Sequence, residues 1–379
     1  TSMATNKVDS GEIKLSDIKG AIPERCFERS LFWSCAYMTR DLLLVGALAA
    51  FGFWTYHQLS GLPLVLFALV FAVVQGTAAT GLWVVAHECG HEAFSPYQTV
   101  NDFFGFILHT AVLVPYWSWK YSHAKHHSKT NHLLDGETHV PGTRKGFERS
   151  LGSVVKLLGD DGFAIFQVLT HLLAGWPMYL LMNTTGGRRL FGKTLKEAGG
   201  IPDHFRPSSP LFPAKWSSLV LYSTLGCLAV IISLISWGRA RGWGEVAVLY
   251  GGPYLVVNAW LVLYTWLHHT HENVPHYGDG DWSWLKGALG TIDRPYGWLI
   301  DTLHHNIGST HVVHHIFHKL PHYHAVEATE AVKPVLGDLY NYDPMPIPQA
   351  TFYTAKTCWY VEGIEGTQYY KGAKSTKAA

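Results

Sequence analysis

From Asp41 to Trp119 the chain carries no Lys or Arg. A stretch of that length without a cation is a poor water-facing surface, and its apolar runs are long. Leu42 to Tyr56 and Leu62 to Ala86 are separated by Gln58-Leu59-Ser60-Gly61. A helix needs about 20 apolar residues to cross ~30 Å of hydrocarbon. The second run is ample, and the first reaches that length when it extends through His57-Gln58-Leu59. The short link predicts a tight helical hairpin. A second pair follows, Ser217 to Trp237 and Val246 to Leu267, joined through Gly238-Arg239-Ala240-Arg241-Gly242. Composition agrees: 15% of residues are charged, against about 25% in soluble domains. The net charge is +1, which excludes a strong field for nucleic acid, and no nucleic-acid partner is expected.

Four spans put both termini and the central loop on one side. The segment before the first span holds Lys7, Lys14, Lys19, Arg25, Arg29 and Arg40, and residues 120–215 hold 13 Lys and Arg. The positive-inside rule assigns that side to the cytosol. Arg239 and Arg241 then fall on the far side, against the rule. Two further apolar stretches, Phe103 to Trp119 with His109 and Pro115, and Phe163 to Met182 with His171 and Pro177, read as interfacial or re-entrant helices. If just one of them spans, the parity changes. The first twenty residues are polar and mixed in charge, so no cleavable signal peptide is expected. The five cysteines are scattered and form no CxxC pair, which fits polar parts facing a reducing compartment. The expected parts are a cytosolic segment over residues 1–40, a membrane domain over 41–343 with spans near 41–59, 62–86, 217–237 and 246–267, and a polar tail over 344–379.

Histidine is the compositional anomaly. There are 23, and 12 of them lie between His268 and His324. Three clusters have helical spacing: His87-Glu88-Cys89-Gly90-His91, His123-Ala124-Lys125-His126-His127 and His311-Val312-Val313-His314-His315. Residues three or four apart share a helix face, about 5–6 Å apart at Cβ, so their imidazoles reach one metal. Adjacent residues splay by about 100°, so the two members of each HH pair can serve different metals. A lone histidine is ordinarily a surface residue or a hydrogen-bonded core residue. Eight in this pattern exceed the four ligands of one zinc and suit a two-metal centre. Imidazole accepts zinc, iron, copper or nickel, and iron is the usual choice where oxygen chemistry is needed.

The first cluster also spells the zinc-protease motif HExxH, with Glu88 as its base. That reading leaves both HxxHH clusters without a role. A metal carrier or channel is a more distant alternative. Two irons per chain, and a need for all three clusters, separate oxidative chemistry from a one-zinc protease.

HECGH, HAKHH and HVVHH, each beside a span or an interfacial helix, closely resemble the three histidine boxes of the membrane fatty-acid desaturases. The flanking text agrees: Val85-Ala86 before and Glu92-Ala93-Phe94-Ser95 after the first box, His305-Asn306-Ile307 before the third, and Pro321-His322-Tyr323-His324-Ala325 after it. The resemblance runs from about Ile22 to Asp343 and is nearest to the oleate Δ12 (omega-6) branch of plants, fungi and other lower eukaryotes. There the first box usually reads HECGH, while omega-3 relatives tend to read HDCGH. Many plant members carry a further His where this chain has Glu92, so no ligand is expected there.

The resemblance implies an all-α polytopic membrane protein, with four transmembrane helices in two hairpins, interfacial helices and a cytosolic histidine-rich di-iron cap. Its metal ligands would be His87, His91, His123, His126, His127, His311, His314 and His315. It also implies a ninth from the Trp266-Leu267-His268-His269-Thr270-His271 run, with His269 the first choice and His271 the alternative. Relatives commonly read Gln-His-Thr-His there, so His268 stands in place of Gln. Asp301 and Asn306 are candidates to orient an imidazole or a metal-bound water. His318, His322 and His324 read as local caps or hydrogen-bonding groups. The implied reaction is oxygen-dependent insertion of a cis double bond into a fatty-acyl lipid drawn from the bilayer, most simply oleoyl to linoleoyl. An unactivated C–H bond is beyond side-chain acid–base chemistry, so metal must carry the reaction. Omega-3 (Δ15) or bifunctional desaturation, hydroxylation, acetylenation and epoxidation remain open on the same scaffold. No nucleotide fingerprint and no HPGG haem motif is present, so electrons are expected from cytochrome b5 and its NADH-dependent reductase. Lys120, Lys125, Lys129, Arg144 and Lys145 are candidate docking charges, and the endoplasmic reticulum membrane is the expected location.

Overall fold

The structure, a computed structural model, describes Val8 and residues 13–373; Lys7 and residues 374–379 of the polar tail lie outside the described residues. Its long elements are helices: α1 (Leu15–Ala21), α2 (Leu31–Tyr56), α3 (Gly61–Gly90), α4 (Gln98–Ala111), α5 (Tyr116–Ser128), α6 (Arg144–Met182), α7 (Ser217–Arg241) and α8 (Trp243–His269). Five short helices follow, α9 (Trp284–Leu289), α10 (Trp298–Leu303), α11 (His311–Ile316), α12 (His322–Leu336) and α13 (Ile347–Thr357). Two small antiparallel pairs are the only sheets among the described residues. Arg189–Leu190 pairs with Lys193–Thr194, and His276–Tyr277 pairs with Thr367–Gln368 in the register His276 to Gln368.

Five helices are long and apolar enough to cross a membrane: α2, α3, α6, α8, and α7 together with the turn that leads into it. The first hairpin turns where Gly61 takes φ +60°, a left-handed conformation that glycine adopts without cost. Ser30 caps α2 by accepting from the Trp33 amide. The outward faces of these helices are apolar and bare. Leu43, Trp54, Leu62, Val70 and Ile232 are 62–69% exposed, the pattern expected where lipid takes the place of water. α6 is the helix that the sequence reading assigned to the interface. At 39 residues it is the longest element, and Gly159 (φ 68°, ψ 176°) breaks it into two parts. The expected single helix from Phe103 to Trp119 is two helices, α4 and α5. Leu113 sits at φ 57° between them, and Pro115 has no amide hydrogen with which to continue a helical ladder.

α3 is the central post and packs most extensively on α8, then on α4 and α2. The α3–α8 crossing is close because its residues are small. A Cβ added at Gly76 would lie 2.6 Å from the Pro253 carbonyl and 2.6 Å from Val256 Cβ, and one at Gly252 would lie 2.9 Å from Ala72 Cβ. Small residues at helix crossings are how membrane bundles gain van der Waals contact.

At one end of the bundle the two hairpins are latched. Glu245, 1% exposed, accepts from Trp237 Nε1 at 2.7 Å and Arg241 Nε at 2.8 Å, with His57 Nε2 3.1 Å away. Arg241 also lies over the Phe53 ring. Its charge is therefore matched by a buried carboxylate. At the other end a folded cap closes the bundle. Ile18, Ile22 and Cys26 pack with Val312, Val313 and Ile316 of α11 and with Ala328, Val332 and Leu336 of α12. Residues 358–373 return to this cap, where Val361 bonds with Gly142 and Trp359 with Lys371. The segment before α2, the segment after α13 and the third histidine cluster thus share one end.

Gly76→Ala drives a methyl into backbone that has little freedom to withdraw. Overpacking of this kind costs about 1–3 kcal/mol. Thermal unfolding in detergent is expected to show a lower midpoint for Gly76→Ala than for Gly46→Ala, whose Cβ meets nothing within 4 Å.

Candidate metal centre

Each histidine cluster sits where a helix ends in the cap. His87 is in the last turn of α3 and His91 caps it; His123, His126 and His127 close α5; His269 is the last residue of α8; His311, His314 and His315 make up half of α11. The helices bring all nine rings together. His87, His91, His123, His127 and His314 each offer a nitrogen within 4.8 Å of all the others, and so do His126, His269 and His315. His311 joins the second set, its Nε2 lying 3.1 Å from His269 Nε2. The adjacent pairs part company as their spacing predicts: His127 and His314 face one set, His126 and His315 the other.

The close contacts within the sets run between Nε2 atoms. His87 Nε2 lies 3.2 Å from His91 Nε2 and 3.0 Å from His123 Nε2. In the second set His126 Nε2 lies 3.1 Å from His269 Nε2. His314 Nε2 and His315 Nε2 are buried with no hydrogen-bond partner. Ligand nitrogens at right angles around an ion about 2.1 Å away sit about 3 Å apart, so the observed spacing fits a set that could hold a metal. The protonation state agrees. Burial, then the neighbouring imidazoles, holds His91, His123, His127, His311, His314 and His315 well below the ordinary histidine range. His126 is pushed down to about 3, by burial first and His87 second. Neutral imidazole is the form that binds metal.

The surroundings fix ring orientation. Thr130 donates to the His126 carbonyl at 2.7 Å, so its oxygen is free to accept from His315 Nδ1 at 3.2 Å. That keeps the proton on Nδ1 and the lone pair on Nε2. Glu88 Oε1 lies 3.4 Å from His87 Nδ1, on the side away from the cluster, while its other oxygen accepts from the His322 amide. Glu88 therefore lies behind the His87 ring and is anchored to the His322 amide, whereas the base of a zinc protease must face the metal. Gly90 has a steric reason to be glycine: a Cβ there would lie 2.8 Å from Trp119. The Trp119 ring stacks on His123 at 4.3 Å.

Other sequence candidates lie elsewhere. His271 Nδ1 accepts from the Asn273 amide, and its Nε2 is 3.8 Å from Asp343. His268 bonds to the Ile292 carbonyl and to Tyr296 Oη. Asp301 accepts from the Tyr296 amide, and the Asn306 carbonyl accepts from Ser309 and Thr310. His305 and Asn306 take φ 56° and 59°, left-handed geometry that asparagine tolerates well. Neither Asp301 nor Asn306 hydrogen-bonds to an imidazole of the cluster. His305 instead pairs with Asp41 at 2.6 Å, and His322 packs on His305 and Tyr37. Thr130 was missed because hydroxyls in loops are common and its partners are distant in sequence. Only its place three residues past the second cluster hinted at it.

An apolar cavity of about 490 Å³ meets the cluster at His123. Trp119, Gly175, Trp176, Val262 and Thr265 also line it, with Glu137 on its wall. Glu137 accepts from Tyr179 Oη at 2.8 Å, and burial pushes its carboxyl up to about 7. A second, more polar cavity of about 540 Å³ meets the cluster at His91 and His127, beside Lys120, Lys125 and Lys319.

Apolar helices carrying a buried histidine cluster that could hold metal, with an apolar cavity against it, are the parts of a membrane enzyme that acts on lipid. Comparison with known proteins gives the family. Residues 60–345 match the model for fatty acid desaturases. An omega-6 fatty acid desaturase of the endoplasmic reticulum from Glycine max is 41% identical over 94% of this chain and 90% of its own. A Δ12 fatty-acid desaturase from Arabidopsis thaliana is 41% identical over 92% and 87%, and an oleoyl-12-hydroxylase from Ricinus communis is 40% identical over 93% and 87%. The chain belongs to the fatty acid desaturase family, a family of oxidoreductases.

Thr130→Val keeps the shape but removes the acceptor for His315. Losing such a support typically costs 10–100-fold in metal affinity, and chelator competition on the purified protein is expected to show a loss of about that size. Acid is expected to destabilise the fold. Burial pushes His139 down to about 3, and His204 and His276 to about 4, from the ordinary histidine value of about 6.5. Below about pH 6.5 the unfolded chain takes up these protons while the folded chain refuses them. Stability therefore falls by up to about 1.4 kcal/mol per group per pH unit as pH drops towards about 4. Glu137 and Asp293, both raised to about 7 by burial, act in the opposite sense, but the buried histidines outnumber them. Unfolding midpoints from pH 7 to pH 4.5 test the sign.

Proposed function

We propose that this enzyme inserts a cis double bond at Δ12 of oleoyl chains to give linoleoyl chains. The observation that carries the reading is the apolar cavity whose wall includes His123, because it offers an acyl chain a dry path to the histidine cluster. Relatives from Glycine max and Arabidopsis thaliana named as omega-6 and Δ12 desaturases support the position of the bond. The Ricinus communis hydroxylase, nearly as similar, makes hydroxylation at the same carbon the second reading.

His87, His91, His123, His127 and His314 would hold one iron, and His126, His269, His311 and His315 the other. Bound there, the pair of irons supplies the dioxygen-dependent oxidising power that an unactivated methylene requires. The residues do the rest. Trp119 and Trp176 help keep the cavity dry beside His123, and Gly175 leaves room for the chain against Val262. Thr130 holds the ring of His315. Electrons come from outside the chain, and cytochrome b5 with its reductase is the donor we infer. The polar cavity at His91 and His127, with its lysines, suits the approach of an acidic partner.

We read the membrane topology as four spans, α2, α3, α7 and α8, with termini and cap in the cytosol of an endoplasmic reticulum membrane. The ties of α6 favour this count. Its first part meets the cap where the Arg144 amide donates to Val361, and just past the break Asp161 pairs with Lys356. Its last part meets the cap where Tyr179 Oη donates to Glu137 and contacts Ser122 Oγ at 3.1 Å. A helix tied to one cap at both ends lies along it.

The reading is tested by expression in a yeast that makes oleate but no linoleate, followed by fatty-acid profiling. A new diene with bonds at carbons 9 and 12 is expected, with none from His311→Ala. A 12-hydroxy product in its place establishes the second reading, and unchanged lipids with folded, iron-loaded protein present overturn both.

A further inference from the structure

The strip Ile292-Asp293-Arg294 crosses the cap between the end of α8, which carries His269, and α11, which carries His311 and His315. The Ile292 amide donates to the His268 carbonyl at 3.1 Å, and the Ile292 carbonyl bonds His268 Nδ1. Arg294 Nε donates to the Leu267 carbonyl at 3.0 Å, one of the last carbonyls of α8, which the helix leaves unpaired. The Arg294 amide donates to Gly308, just ahead of α11. Asp293 Oδ1 accepts from the Val312 amide in the first turn of α11 at 2.7 Å, and its Oδ2 accepts from Tyr340 Oη at 2.7 Å. Asp343 Oδ2 holds the far end of the guanidinium at 2.6 Å.

Both side chains are 0% exposed. A buried carboxylate and a buried guanidinium are costly to keep, and this adjacent pair is not spent on a mutual ion pair. Each is aimed at backbone on one side of the four-histidine set. Of that set, His269, His311 and His315 belong to the two segments the strip joins. Of the five-histidine set, only His314 does.

We propose that Asp293 and Arg294 are positioning residues for the four-histidine half of the centre. They set the distance between the end of α8 and α11, while the five-histidine half assembles from α3 and α5 without them. The proposal rests on the reading that both halves take metal, and the metal content of the unaltered protein tests that separately.

The test is iron per chain in full-length protein purified in detergent. Asp293→Ala and Arg294→Met are expected to halve the iron content, and Asp293→Asn, which keeps an acceptor for Val312, to restore it. Adding His91→Ala to Asp293→Ala should remove the remaining iron, whereas adding His269→Ala should change nothing further. Val220→Ala, which hollows the separate core around Leu190, Leu211 and Phe212, is the control for stability: it should lower the unfolding midpoint and leave iron content whole. Full iron in both strip variants overturns the proposal, as does parallel loss from both halves in step with the midpoint. Where Asp293→Ala yields no folded protein, Tyr340→Phe is read instead. It should speed chelator release of half of the iron, and uniform release counts against the strip.

Discussion

Nine imidazoles crowded into a buried cap, with Nε2 facing Nε2 at about 3 Å, would repel as lone pairs and would be still worse as cations. The rest of the architecture serves to keep the rings neutral, buried and aimed, as a metal held among them would require. Burial in the cap disfavours protonation. Supports such as Thr130 keep the proton on the nitrogen that faces away. The helix ends supply the register: each ligand sits in a last turn or on a short helix of the cap, where side chains converge from separate directions.

Splitting the clusters between two sets gives the two halves different foundations. One half draws on α3, α5 and a single residue of α11. The other depends on the meeting of α8 with α11, two segments that share no hairpin. That contact is the long-range one, and it is where the protein places fully buried charge.

The long apolar helices and the histidine clusters were legible because both follow local rules, apolar length for one and helical spacing for the other. His269 came from family resemblance, since a single histidine at a helix end has no spacing to betray it. α6 was ambiguous because its second half is apolar enough to span, and its ties to the cap through Asp161, Tyr179 and Arg144 are long-range pairings that composition does not encode. The supports were hidden for the same reason. Thr130, Asp293 and Arg294 act on residues tens to nearly two hundred positions away, so their roles exist only in the folded chain. The break at Leu113 escaped because nothing about a leucine announces left-handed backbone.

The latch at Glu245 and the histidine cap hold the two hairpins at opposite ends, as hinges and bolt hold a door frame. A frame fixed at both ends cannot spread to let a long flexible chain slide in sideways. The wall of the apolar cavity that stands outside the latch is α6, with Gly159 as its crease. The break at Gly159 falls between the ties that Arg144 and Asp161 make to the cap, so each part of that wall is anchored separately.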